Sequence, residues 1–207
     1  MLISDKYKVI FVHIPKTGGT FVYDILNKLD NDLKIVFDER FSRYELTHHS
    51  IPNKEESKKY IDDGYYMFCF IRNPYDLIRS FYSFVSNNPN HKAYKQVKSL
   101  SFLEFIKRDK ILEDDLPNYI TKSYVHQGLY VNQNVDTLLF DNLEEELIRI
   151  FKERGVENIE DVISSSKNRN KSDSNKIVHN DETRKILSEN KLFMKDLELY
   201  NKLKEEK

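Results

Sequence analysis

Residues 11–26, FVHIPKTGGTFVYDIL, restrict the folds open to this chain more than any other stretch. The β-branched and aromatic run over residues 7–13 reads as a strand. Pro15, Lys16, Thr17, Gly18, Gly19 and Thr20 follow with no spacer, and apolar residues then recur at Phe21, Ile25, Leu26 and Leu29, the spacing of one helix face. A strand, a tight turn and a helix in direct succession form a β-turn-α unit, which builds parallel sheets covered by helices. The turn also carries chemistry. A helix start aims backbone N–H groups and the positive end of the helix dipole at one spot, where an anion fits. Gly18 and Gly19 permit close backbone approach, Lys16 adds a charge, and Thr17 and Thr20 add hydroxyls. A bare connection with no ligand is the plainer alternative, but two glycines beside a lysine and two threonines favour an anion cradle. This is not the usual nucleotide loop G-x-x-x-x-G-K-[ST]. Pro15 precedes the lysine, and Ile10 stands where the first glycine belongs.

A second anchor lies in FCFIRNPYDLIRSFYSF, residues 68–84. Residues 65–71 read as a strand that turns at Asn73-Pro74 into a helix running to about Val85, with Asn as the N-cap and Pro at the first helical position. Arg72 stands at the strand's end, the ligand-binding rim of a parallel sheet. Ser80 lies eight residues on, two turns into the helix. Arginine supplies forked donors for a phosphate and serine one more. Alone, the pair would pass for a surface charge and a helix filler. Beside the first loop, two anion sites at neighbouring strand ends suit a ligand with two separated phosphates.

Further strands are expected over residues 33–37 and 135–140, and helices over 53–61, 99–108 (introduced by Ser99 or Ser101) and 142–154, the last closed by Gly155. Residues 181–203 read as a final helical region, 41–50 as a loop, 87–98 as a polar connector, and 164–176 as a stretch with almost no apolar content. Alternating strands and helices predict an α/β fold with a parallel sheet covered on both faces. With no repeat and no boundary, residues 1–207 read as a single domain.

Composition narrows the function. The 33 basic and 34 acidic residues leave a net charge of −1, which argues against a nucleic-acid coat without excluding a local basic site. The one cysteine, Cys69, excludes an intramolecular disulfide and fits a reducing compartment; inside YYMFCFI it reads as packed core. Asp5, Lys6 and Lys8 interrupt any signal-peptide core, and no run approaches the ~18 apolar residues of a membrane span. A cytoplasmic protein is the expectation. His13 reads as a packed strand-end residue, while His91, His126 and His179 have no partner at motif spacing, and no metal constellation is visible.

HIPKTGGT resembles the 5′-phosphosulfate loop of the sulfotransferases that use 3′-phosphoadenosine 5′-phosphosulfate (PAPS), in the carbohydrate, heparan 2-O-sulfotransferase-like branch. FIRNPYDLIRS is similar to that family's 3′-phosphate motif, and VDTLLFDNLEEEL and NRNKS to weaker landmarks in the same order. Leu77, where the family often has a basic residue, and Phe21, where it often has serine, depart from the pattern. The resemblance implies a P-loop NTPase-like, three-layer α/β/α sulfotransferase fold. It also implies PAPS as donor, adenosine 3′,5′-bisphosphate as product, no metal, and a carbohydrate or glycolipid acceptor.

On that resemblance Lys16 would serve the leaving oxygen, while Pro15, Thr17, Gly18, Gly19 and Thr20 would build the 5′-phosphate site. Arg72 and Ser80 would hold the 3′-phosphate. Lys171 and Ser172, in the polar stretch that otherwise reads as a linker, would fold over the adenine and 3′-phosphate. The acceptor hydroxyl needs a base, and LTHHSI offers His48 and His49. His49, 23 residues before Arg72, matches the place of the catalytic histidine in the similar 2-O-sulfotransferases; His48 is its rival and Glu45 a weaker one. A nucleotide kinase or NTPase with an atypical loop, and a bisphosphate-binding module without turnover, are the competing functions.

Overall fold

The computed structural model describes residues 1–36, 54–91, 93–111, 126–166 and 177–206. In chain order the elements begin with β1 (Leu2–Ser4), β2 (Val9–Phe11), α1 (Gly19–Leu29), β3 (Lys34–Ile35), α2 (Lys54–Asp62) and β4 (Tyr66–Ile71). There follow α3 (Pro74–Asn87), α4 (Tyr94–Val97), α5 (Phe102–Ile111), β5 (Asp136–Leu139), α6 (Leu143–Lys152), α7 (Ile159–Ser166), α8 (Asp181–Ser188) and α9 (Lys191–Glu205). Their contacts group them into two compact units, residues 1–71 with 129–171 and residues 72–128 with 172–206.

The first unit holds the sheet, in the order β3-β1-β2-β4-β5. Its middle is parallel: Phe11 pairs with Phe68, and Ile71 with Leu139. Its edge is not. β1 runs antiparallel to β2, with Leu2 opposite Phe11, and β3 runs antiparallel to β1. The expected all-parallel sheet is thus corrected to a mixed one. The first residues are too few to show a strand period, and they pair only because a short turn, with Lys8 at φ 51°, folds them back on β2. Because β2 and β4 are parallel neighbours, the chain leaves both at the same edge of the sheet.

The central strands are apolar at every position because both faces are buried. Val9, Ile10, Phe11, Phe68, Cys69, Phe70 and Ile71 are all fully enclosed. Val9, Phe11, Phe68, Phe70 and Leu138 pack against Val22, Ile25 and Leu26 of α1, Leu147, Ile150 and Phe151 of α6, and Ile159 and Ile163 of α7. The sequence reading overlooked α7 because its last turn is Ser164, Ser165 and Ser166. Lys28 of α1 binds that turn through the hydroxyls of Ser165 (3.1 Å) and Ser166 (2.7 Å). Burial pushes the Cys69 thiol far above its ordinary pKa.

The second unit is helical, with Ile78, Phe81, Val85, Val97, Phe105, Leu187 and Phe193 in its core. Its helix starts follow the capping rules. Asn73 Oδ1 accepts from Tyr75 N (3.0 Å) with Pro74 at the first position, and Ser101 and Glu104 form a reciprocal capping box. The expected helical region over 181–203 is two helices. Asn190 separates them, its side chain accepting from the N–H groups of Leu192 and Phe193 at 2.9 and 3.0 Å. The supposed polar connector contains α4, whose Val97 is fully buried.

Candidate active site

The first loop starts one residue past β2, where Val12 N still donates to Phe68 O (2.8 Å). The chain then turns tightly. Thr17 is fully buried, and its hydroxyl donates to the carbonyl of Ile14 at 2.9 Å, bracing the turn from inside. Thr17 therefore shapes the loop with the hydroxyl the sequence reading had set beside the phosphate. Lys16 (φ 65°) and Gly18 (φ 86°) both adopt the left-handed conformation. For lysine that costs roughly 1–2 kcal/mol, so the surrounding structure has to hold it there.

Gly18 is the N-cap of α1, and its carbonyl accepts from Phe21 N (2.9 Å) and Val22 N (3.1 Å). Gly18 has no side chain with which to cap this helix, whose first turn contains no acidic residue. The N–H groups of Gly19 and Thr20 have no acceptor within the helix, as at any helix start. A helix start capped by glycine, with no acidic residue in its first turn and reached through left-handed residues, fits an anion cradle.

The glycines have a second purpose that the sequence did not disclose. A Cβ on Gly19 would sit 1.7 Å from Nε2 of His13, and one on Gly18 would meet Leu143 Cδ1 and Phe140 Cε2, each at 3.0 Å. His13 stacks on Phe11 with ring centroids 5.7 Å apart and lies directly against the start of α1. Side-chain packing thus accounts for Gly19 before any ligand is considered.

Arg72 leads from β4 toward α3. The side-chain amide of Gln127 pairs with both of its backbone groups: Arg72 N donates to Oε1, and Nε2 donates to Arg72 O, each at 2.9 Å. Gln127 is itself fully buried. Asp196 of α9, also fully buried, accepts from Gln127 N (2.9 Å), Gly128 N (3.1 Å) and Nδ1 of His126. His126 thus has a partner, 70 residues away, which no motif spacing could reveal.

Ser80 lies two turns inside α3 at 4% exposure. Its neighbour Arg79 is committed elsewhere, to Asp76 and to the carbonyl of Ile177 (2.9 Å). Leu77 is buried. His179 donates from Nε2 to the carbonyl of Tyr75 (2.9 Å), and its ring meets those of Tyr75 and Phe102 edge-on. Ile177 and His179 are therefore both tied to the helix that carries Ser80. Burial, reinforced by the nearby Arg79 and Arg184 charges, lowers the His179 pKa below the ordinary histidine value. His48, His49, Glu45, Lys171 and Ser172 lie outside the described residues. Among the described residues, no three His, Cys, Asp or Glu side chains gather into a metal-binding group.

The sulfotransferase family model matches residues 1–202, nearly the whole chain and both compact units. Searches of curated proteins and of solved structures return no significant match. The kinase reading loses its footing here, since the loop lacks the nucleotide-binding pattern and the family match points elsewhere. The chain belongs to the sulfotransferase family and is a PAPS-dependent sulfotransferase.

Proposed function

We propose that the protein moves the sulfuryl group of PAPS onto a hydroxyl of a carbohydrate or glycolipid, with a histidine of the LTHHSI segment as base. The observation that carries the donor half is the glycine start of α1, with no acidic residue in its first turn, behind left-handed Lys16 and Gly18. In this reading the N–H groups of Gly19 and Thr20, with the exposed Thr20 hydroxyl, bind the 5′-phosphate. Pro15 and Thr17 keep the turn closed. Lys16 donates to the bridging oxygen as negative charge builds there. Arg72 and Ser80 hold the 3′-phosphate, and Lys171 and Ser172 cover it. His49, or His48 in its place, takes the proton of the acceptor hydroxyl as that oxygen attacks sulfur. The sulfur–oxygen bond to the phosphate breaks, and adenosine 3′,5′-bisphosphate leaves. The carbohydrate branch, a P-loop-like three-layer arrangement, one domain spanning residues 1–207 and a cytoplasmic site of action complete the reading. They rest on the resemblance of the two loops and, for the location, on the single buried cysteine.

Thermal melting with nucleotides tests the donor half without an acceptor. Adenosine 3′,5′-bisphosphate in EDTA should stabilise the protein more than ATP with Mg²⁺. At 100 times Kd the gain is about 2.7 kcal/mol, and each kcal/mol moves the Tm of a chain this long by roughly 2–4 °C. The reverse order would end the proposal. Labelled-sulfate transfer from PAPS to glycan and glycolipid panels tests the acceptor half. There His49→Ala should lower transfer by ~10²–10⁴-fold with bisphosphate binding intact. A larger loss in His48→Ala would move the base by one residue.

A further inference from the structure

We propose that Gln127, held in place by Asp196, is a positioning residue that sets Arg72 for the 3′-phosphate; this rests on the reading of Arg72 given above. The two bonds from one side chain to both backbone groups of a single residue are what a neighbouring strand would supply. A carboxamide does this without any change of protonation, because it presents a donor and an acceptor side by side. A carboxylate would turn an oxygen toward the Arg72 carbonyl, and an apolar side chain would leave both backbone groups without this partner. Gln127 cannot drift, since its own N–H and that of Gly128 are fixed by the buried Asp196 carboxylate, which His126 also binds.

The consequence for Arg72 is directional. With N–H and C=O both held, the peptide planes on either side of its Cα are fixed, and so is the bond on which the long side chain starts. A guanidinium gains from a forked contact only when its geometry is set in advance, and small displacements of a binding group are costly. The chain thus reaches from α9 through the 126–128 turn to the residue that would grip the phosphate.

The test measures binding of adenosine 3′,5′-bisphosphate and of AMP, which lacks the 3′-phosphate, to Gln127→Ala, Arg72→Ala and the double variant. Gln127→Ala should weaken the bisphosphate by about tenfold, the scale of one or two lost hydrogen bonds, and leave AMP unchanged. In the Arg72→Ala background it should have no further effect on the ratio of the two ligands. Equal losses for both ligands, or additive losses in the double variant, would overturn the proposal and leave Gln127 a scaffold residue. If Arg72→Ala itself leaves the ratio untouched, the 3′-phosphate assignment fails first and the positioning role falls with it. Should Gln127→Ala not fold, Gln127→Glu, which keeps the volume and the acceptor but not the donor, is read in the same way.

Discussion

The two strand exits of this protein are shaped by opposite means. The chain leaving β2 is bent by its own backbone, through left-handed Lys16 and Gly18, a Thr17 hydroxyl bonded three residues back, and a glycine with an imidazole against it. The chain leaving β4 is held from outside, by a carboxamide 55 residues away that is itself fixed by a carboxylate 69 residues farther on. The first device is local and stores strain. The second is distant and depends on the helical unit being folded. Damage to the first should therefore appear in chemistry and local packing, and damage to the second in ligand discrimination.

The largest expected effect separates the two roles of Lys16. Lys16→Ala should lower kcat by ~10²–10³-fold, the usual loss of a transition-state donor, with bisphosphate affinity changing far less. Lys16→Gly should lose as much activity yet melt higher than Lys16→Ala, because glycine takes φ 65° without steric cost. Equal melting temperatures would mean that the left-handed turn is not under strain, and the contrast between the exits would fail.

Next in size is the packing of His13 on α1. Gly19→Ala should cost roughly 1–3 kcal/mol, as overpacking does, and His13→Ala in the same chain should return part of that loss. Melting of the two single variants and the double gives the coupling. Simple additivity would show that the imidazole moves aside freely.

The smallest effect belongs to the second exit. His179 is held against the start of α3, and burial lowers its pKa from the ordinary 6.5, with Arg79 and Arg184 adding to the shift. The Tyr75 carbonyl and Asp76 oppose it. The fold prefers the neutral ring, so its contribution is complete above about pH 6.5 and is lost as pH falls toward and below the folded value. Between about pH 8 and about pH 5 the native chain should lose more melting temperature than His179→Gln. Parallel curves would remove His179 from the account.

Local features were legible because their physics is local. The Asn73-Pro74 helix start, the apolar strand over residues 66–71 and the helix face from Phe21 to Leu29 each carry a period or a cap within a few residues. The glycine start of α1 was legible as well, since Gly18 and Gly19 stand directly before the helix period in the sequence. The rest depended on partners far along the chain. β1 is a strand only because β2 is beside it, and α7 ends in serines that read as linker until Lys28 binds them. His126 looked solitary because Asp196 is 70 residues away. Gln127 offered no signal at all, as its role is defined by the backbone of one residue in another segment.

The enclosed Cys69 has a practical consequence. It sits in the middle of β4, fully buried, and is the chain's single thiol. A thiol so placed is protonated and out of reach, so an alkylating reagent can modify it only during moments when the sheet opens. The rate of labelling then counts those openings, with no engineered probe and no second cysteine to confuse the reading. A donor analogue that clamps the strand exits should slow that clock, and the slowing would measure, in units of opening events, how far ligand binding at the rim reaches into the heart of the sheet.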